Sequence, residues 1–385
     1  MKVATEPIPT RTSRADVDAV LRQARRAVSG PVVFRRNGSR AVLEPAEIAA
    51  ALRSRLVGEG DRARLTLDIT PDVVVEGFGD TMTAFERDPV SARVVLSGGR
   101  PHIIKGRNGF AFDLGDATQQ LFEVATGDSK RTVVLRGDVR EAGLTNAEAR
   151  DLRITEKVSE FTTYHACCEN RVSNIHRIAD IVAGVVIRPG ETFSLNDFVG
   201  ERTRAKGFVA DAAILDGEYV QAVGGGVSQF ATTTYNAAYF GGYEITEHKA
   251  HSYYISRYPE GREATLSYPY VDLKITNTSP YGILIDTSYT DESITVTFWG
   301  KKWVDVSSDT GPRTNVTKGD TDFRERDNLP PGSQQVFQDP ADGFDVTVTR
   351  TLRFPDGRVK SEDVFTRYSP QPRIIKRNRP GVDAG

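Results

Sequence analysis

Between Asn170 and Gly184 the apolar residues Val172, Ile175, Ile178, Ala179 and Val182 recur every three or four positions, which predicts a helix with one apolar face ended by the glycine. Further on, Gly224-Gly225-Gly226 leads into a second predicted helix, Ser228 to Phe240, closed by Gly241-Gly242. Its stripe would be Phe230, Thr233, Ala237 and Phe240. Ile245, Tyr253-Tyr254-Ile255, Ala264-Thr265-Leu266, Leu273-Lys274-Ile275, Ile283-Leu284-Ile285 and Ile294 to Phe298 read as strands. The expected arrangement is the second helix packed on an antiparallel sheet that carries His251 and Glu263.

The chain before this region has a different texture. Thr12 to Val17 reads as a capped helix start with apolar Val17, Val20 and Leu21 at helical spacing. Pro31 to Phe34 and Arg40 to Leu43 read as a hairpin around Asn37-Gly38, a helix opens near Pro45, and Arg131 to Leu135 is a further strand. Leu144 to Ala149 copies the helix start at Thr12, which suggests one whole α/β module and the fringe of a neighbouring repeat. After Trp303, Phe344 to Leu352 alternates as a strand, Pro355-Asp356-Gly357 turns it, and Val364 to Tyr368 returns. From about Pro372 the chain reads as a tail. The fold class is α+β, divided at 1–155, 156–303, 304–375 and a tail at 376–385.

At 385 residues, with 38 % hydrophobic and 26 % charged residues, wholesale disorder is excluded and several domains are expected. The 50 basic residues are balanced by 52 acidic ones, so a general nucleic-acid partner is not expected. No run of apolar residues is long enough to cross a membrane, and the first residues do not read as a secretory leader.

Candidate chemistry centres on the glycine run. Three glycines before a helix N-terminus let a ligand backbone approach free N–H groups, a place where a nucleophile is commonly held. Ser228 occupies it, and His251 and Glu263 follow in an order suited to nucleophile, base and orienting carboxylate. The plainer reading of Ser228 is a helix cap. Gly224, Gly225, Gly226, Gln229 and Asn236 are the candidate ligand-binding residues. Cys167 and Cys168, the only cysteines, are adjacent; they allow a strained vicinal ring or two thiols. His165, His176 and this pair raise a metal site, but adjacent cysteines ligate one ion poorly, so no metal and no cofactor is expected. His102 and His248 read as surface residues.

Residues 171 to 300 resemble the VanW-like family. The matching blocks are Arg171 to Ile175, Pro189 to Asn196, Gly200 to Thr203, Lys206 to Phe208, Gly224 to Gln229, Thr233 to Ala238, His251-Ser252 and Gly261 to Thr265. The first 150 residues resemble a peptidoglycan-binding domain that commonly precedes such modules. Residues 306 to 375 resemble the extracellular domain named for its five glycines, here Gly311, Gly319, Gly332, Gly343 and Gly357.

The resemblance implies a transglutaminase-like central fold and a place on the extracellular face of the bacterial membrane or in the cell wall, with the membrane anchor outside this chain. The implied partner is peptidoglycan or its stem peptides. Many family members carry cysteine at Ser228 and aspartate at Glu263. A serine is barely ionised at neutral pH and depends wholly on His251 as base. Two readings follow. One is a peptidoglycan-binding scaffold with little or no turnover. The alternative is an amidase, peptidase or transpeptidase on stem peptides, with Ser228 as nucleophile.

Overall fold

The computed structural model describes residues 12–59, 63–71, 85–167, 170–215, 218–326 and 328–378. The chain divides into two compact units, one formed by 1–93 with 105–146 and the other by 94–104 with 147–385.

In the first unit the helix Arg14–Ala27 starts at a capping box. The Ser13 hydroxyl accepts from Asp16 N–H at 3.1 Å, and the Asp16 carboxylate accepts from Ser13 N–H at 3.2 Å. Of the apolar residues at helical spacing Val20 is buried, while Val17 and Leu21 are exposed. Strands Val32–Arg36 and Ser39–Leu43 form the expected hairpin, with Asn37 and Gly38 both at positive φ. Strand Thr132–Val134 joins it in parallel, and helix Leu114–Thr126 covers a core of Phe34, Leu43, Ile48, Leu121 and Val133. The second helix start, at Asn146, does not begin a repeat. That helix ends at Asp151, and the chain then runs into strand Glu156–Tyr164 of the second unit.

The second unit is built on a four-stranded antiparallel sheet in the order 156–164, 293–300, 283–290, 186–187. The helix Ser228–Phe240 has the predicted bounds and packs on strands 156–164 and 293–300. It is not an amphipathic helix with one apolar stripe: every residue from Gln229 to Tyr239 is buried. Its other sides are covered by helix Asn170–Val182 and strand Glu244–Glu247, which pairs with Lys274–Thr276.

Two expected strands are absent. Tyr253-Tyr254-Ile255 and Ala264-Thr265-Leu266 lie in an irregular stretch between Glu247 and Lys274, so His251 and Glu263 are not on strands of the sheet. The backbone bonds of this stretch run within turns, such as Tyr258 N–H to Ile255 O and Arg262 N–H to Pro259 O, to side chains of the buried helix, to Lys249 O, and to Tyr368 and Ser369 at the end of strand Val359–Tyr368. A strand ladder was therefore not required to satisfy them.

In the C-terminal region strand Gly343–Arg353 pairs with Asp305–Thr310, Thr314–Thr317 and Val359–Tyr368. The segment expected to be a tail contains strand Arg373–Arg377, the middle strand of a second sheet, flanked by Thr321–Glu325 and Gln334–Gln338. Burial of Ile374 and Ile375 explains why it is held.

Arg350 ties this region to the buried helix. It is 4 % exposed, donates to Glu362 through Nε at 2.8 Å, and reaches Tyr239 O and Tyr243 O at 3.2 and 3.0 Å. Arg350→Met would leave Tyr243 O without its donor and strip Glu362 and Tyr239 O of one partner each, Lys360 and Gly242 N–H being the partners that remain. We expect a loss of about 3 kcal/mol, read from the midpoint of urea unfolding.

Candidate functional site

Three residues one helical turn apart, Ser228, Thr232 and Asn236, form a row on the buried helix. The facing chain runs the other way and bonds to them at every second residue. Asn236 Nδ2 donates to Arg262 O at 2.8 Å. Thr232 Oγ1 donates to Ala264 O at 3.2 Å and accepts from Ala264 N–H at 3.1 Å. Ser228 Oγ accepts from Leu266 N–H at 3.1 Å. Four helical residues rise about 6 Å and two extended residues about 6.7 Å, so the two periods stay in step over three rungs.

Glu263 falls between rungs and is fully buried. Its Oε2 meets His251 Nδ1 at 2.5 Å, and His251 itself is 8 % exposed. Tyr258 stacks on the imidazole with ring centroids 5.4 Å apart. With Nδ1 engaged by the carboxylate, Nε2 is the ring nitrogen left for proton exchange.

Ser228 and His251 both line a cleft of about 320 Å³, with the glycine run, Arg171, Asp211, Arg257, Tyr258 and Thr265. Ser228 is bonded to Leu266 rather than to the imidazole, and it is not the helix cap; Val227 holds that position without a side-chain bond. Among the described residues the N–H groups of Gly226 and Ser228 have no hydrogen-bond partner. Both belong to residues lining the cleft, where they are donors available to a negative oxygen.

The glycines also have a packing reason. Gly224 and Gly226 sit at φ +85° and +93°, and a Cβ on them would fall 2.8 Å from Arg202 Cβ and 2.7 Å from Arg171 Cβ. A Cβ on Gly225 would meet the Asp211 backbone oxygen at 2.3 Å. The loop is pressed onto two arginine stems and a neighbouring strand, which only glycine permits. Asn174, fully buried, fixes it from below by donating to Gly225 O and Val209 O, both at 2.9 Å.

Gln229 and Asn236, expected to bind ligand, are instead committed inside the protein. Gln229 accepts from Arg171 Nη2 and donates to Thr163 Oγ1 and Tyr164 O. Asn236 holds Thr232 O and Arg262 O. Both have no exposed surface and neither lines the cleft. Sequence reasoning missed Arg171, Asp211, Arg257 and Tyr258 as lining residues, although Arg171 stands at the head of a motif block quoted above. Asp211 Oδ2 accepts from Arg171 N–H at 2.7 Å, which anchors the start of helix Asn170–Val182 to the cleft wall.

Cys167 is disulfide-bonded, while Cys168 lies outside the described residues. His165 Nδ1 lies 3.1 Å from Ala166 O, and His176 stacks on Tyr289 with its Nε2 3.1 Å from Thr290 O. Among the described residues no group of three or more His, Cys, Asp or Glu side chains is placed to hold a metal ion. His248 is not a surface residue: it is half-buried against Tyr235, and burial lowers its pKa. No described helix is long and apolar enough to cross a membrane.

The architecture is thus an α+β domain whose buried helix presents a glycine-lined cleft with a His–Glu pair. Residues 170–299 match the family described as VanW like protein, so the segment carrying the cleft is VanW-like. Over 146 residues the chain is 33 % identical to "Uncharacterized protein YoaR" of Bacillus subtilis (strain 168), covering 38 % of this chain and 48 % of that protein. The chain therefore spans about half the length of this curated relative. It is also similar to the solved "IgA1 Protease G5 domain structure" at 23 % identity, over 20 % of this chain and 92 % of that one. The TM-score of that superposition is 0.14, at which no likeness of fold is inferred.

Two outcomes follow from this geometry. Thr232→Val keeps the shape but leaves Ala264 N–H and C=O without their partner, and should cost about 2 kcal/mol in thermal or urea unfolding. The disulfide at Cys167 predicts that the untreated protein resists maleimide and becomes labelled only after a thiol reductant, read by mass spectrometry.

Proposed function

We propose that this is a bacterial cell-envelope protein that binds peptidoglycan stem peptides in the cleft and acts on an amide bond there. The observation that carries the reading is the buried 2.5 Å contact between His251 Nδ1 and Glu263 Oε2 beside Ser228. Such a carboxylate holds the imidazole in one tautomer and stabilises its protonated form. Ser228 Oγ would attack the carbonyl carbon as its proton passes to His251 Nε2, with the Gly226 and Ser228 N–H groups facing the developing oxyanion. His251 would return that proton to the departing amine, leaving an acyl ester on Ser228. Water, or a second amine, would then release the acyl group with His251 again as base.

This is the transglutaminase-like order of groups at a helix N-terminus, with serine in place of a thiol. Two lining residues have buried polar atoms without partners, Arg171 Nε and Thr265 Oγ1. Unpaired buried donors in a cleft favour a polar ligand. The VanW-like segment supports the cell-wall setting, the extracellular face of the membrane and a peptidoglycan partner.

A second reading, a binding scaffold without turnover, is favoured by the Leu266 N–H bond to Ser228, which gives the hydroxyl a structural use. Incubation with defined stem peptides, followed by mass spectrometry and by a parallel binding measurement, separates the two. The first reading expects hydrolysis or transfer that falls about a thousandfold or more in Ser228→Ala and His251→Gln, with peptide binding retained. Binding without conversion by the parent protein selects the second reading, and neither binding nor conversion removes both.

A further inference from the structure

Arg202, in the block Gly200 to Thr203, is 8 % exposed. Its Nη1 donates to Asn196 Oδ1 at 2.6 Å and to Gly200 O at 3.1 Å. Nε and Nη2 are buried and, among the described residues, have no hydrogen-bond partner. Asp272 does not supply one. Its Oδ1 accepts from the N–H groups of Asn196 and Leu273, and its Oδ2 accepts from Ser194 Oγ. A buried guanidinium with two unpaired donors is costly, and folded proteins seldom keep such a group without a use for it.

The two idle nitrogens are not a random pair. Nε and Nη2 form one edge of the planar guanidinium, with their N–H bonds parallel, and that edge matches two oxygens of one carboxylate or phosphate. Arg202 also lines a cavity of about 290 Å³ together with Glu201 and Tyr268. This cavity shares Gly224, Gly225, Val227, Leu266 and Ser267 with the cleft that holds Ser228 and His251, so the two spaces adjoin at the glycine run. Among the described lining residues Arg202 is the one base and the exposed Glu201 the one acid. A single buried cation with an acid nearby suits a singly charged carboxylate better than a doubly charged phosphate.

We propose that this cavity is a carboxylate subsite of the cleft, in which the Nε and Nη2 edge of Arg202 takes a free carboxylate of an acidic peptide whose amide lies at Ser228. The place of the amide rests on the function proposed above, whereas the carboxylate on Arg202 does not. The ligand class is thereby narrowed to peptides with a free carboxylate close to the amide, either at the C-terminus or on a side chain.

The experiment uses the full chain and four probes, without any need for turnover. Two are acidic: N-acetyl-alanyl-alanine, with a free C-terminal carboxylate, and N-acetyl-alanyl-glutamate amide, with a free side-chain carboxylate. Two are their neutral twins, N-acetyl-alanyl-alanine amide and N-acetyl-alanyl-glutamine amide. Affinity is read by calorimetry, and the Arg202 Nε–H and Gly226 backbone N–H signals by NMR. Gly226 lines the cleft but not the second cavity, so its signal reports whether one ligand spans both. At least one acidic peptide should bind about tenfold or more tightly than its twin and displace both signals. Which of the two does so identifies the source of the carboxylate. Arg202→Lys, which keeps the charge and removes the fork, should lose most of the preference. A still Nε–H signal with both acidic peptides overturns the proposal, as does an equal displacement by a neutral twin. So does movement of Nε–H without Gly226, or a preference that survives in Arg202→Lys. Should that variant fail to fold, the comparison of acid with neutral twin on the parent chain decides alone. A bound carboxylate with no amide converted leaves this proposal standing and removes the amide chemistry, so the two ideas fail separately.

Discussion

A helix buried on every side must find partners inside the protein for each polar side chain it carries. The helix Ser228–Phe240 carries Gln229, Thr232, Thr233, Thr234 and Asn236, all fully buried. Leaving one such group unpaired costs about 1–3 kcal/mol, more than a typical hydrogen bond contributes when made. Thr233 and Thr234 return their hydroxyls to the helix's own carbonyls, Gln229 O and Phe230 O. The Ser228, Thr232 and Asn236 row instead takes its bonds from the chain at 262–266. That choice fixes the extended run without a strand partner and sets Glu263 between two rungs. The position of the His–Glu pair thus follows from the need to satisfy a buried polar row.

The boundaries of this helix were legible because glycines flank it on both sides and mark where helical backbone must stop. The face of helix Asn170–Val182 was legible for the usual reason: Val172, Ile175, Ile178, Ala179 and Val182 are all buried, at the spacing the sequence shows. Residues 251–266 misled because β-branched and aromatic side chains promise a strand only when the backbone has no better partner. Here Thr232 and Asn236 supply that partner, and nothing in the local sequence of 251–266 reveals it. The same blindness hid strand Arg373–Arg377, whose five residues read as a charged tail until Ile374 and Ile375 are seen packed. Of the candidate site, Ser228 and His251 are brought to one cleft, with Glu263 fully buried behind the imidazole. Gln229 and Asn236, the other polar candidates, are buried inside the protein.

The glycine run answers a packing demand, and the proposed chemistry would ask the same of it. Its close seat on Arg202, Arg171 and the Asp211 backbone explains each missing Cβ without any ligand. The Arg202 stem is itself held: burial lowers that guanidinium to about 10, with Asp272 partly offsetting the effect, so it stays charged at neutral pH. Its Nη1 bonds to Asn196 Oδ1 at 2.6 Å and to Gly200 O at 3.1 Å. A loop clamped in this way keeps its N–H groups in fixed directions. Fixed donors are what stabilisation of a developing charge requires, because no reorganisation is left to be done when the charge appears. Packing thus accounts for Gly224, Gly225 and Gly226, and the proposed chemistry would ask for the same residues.

Ser228 is where these demands meet. As the first rung it accepts the Leu266 N–H, a task for oxygen, since a thiol sulfur is a weak acceptor. A cysteine in its place would gain nucleophilicity from the helix N-terminus but would leave that N–H poorly served. With serine the balance is reversed: the rung is sound, and reactivity depends wholly on a base. The hydroxyl accepts one bond through a lone pair and keeps its own hydrogen, so the Leu266 contact does not prevent proton donation toward the cleft. It does restrict the rotamers from which such donation is made, and it ties them to the placement of residues 262–266. The chemistry open to Ser228 is thus set by the same ladder that places Glu263.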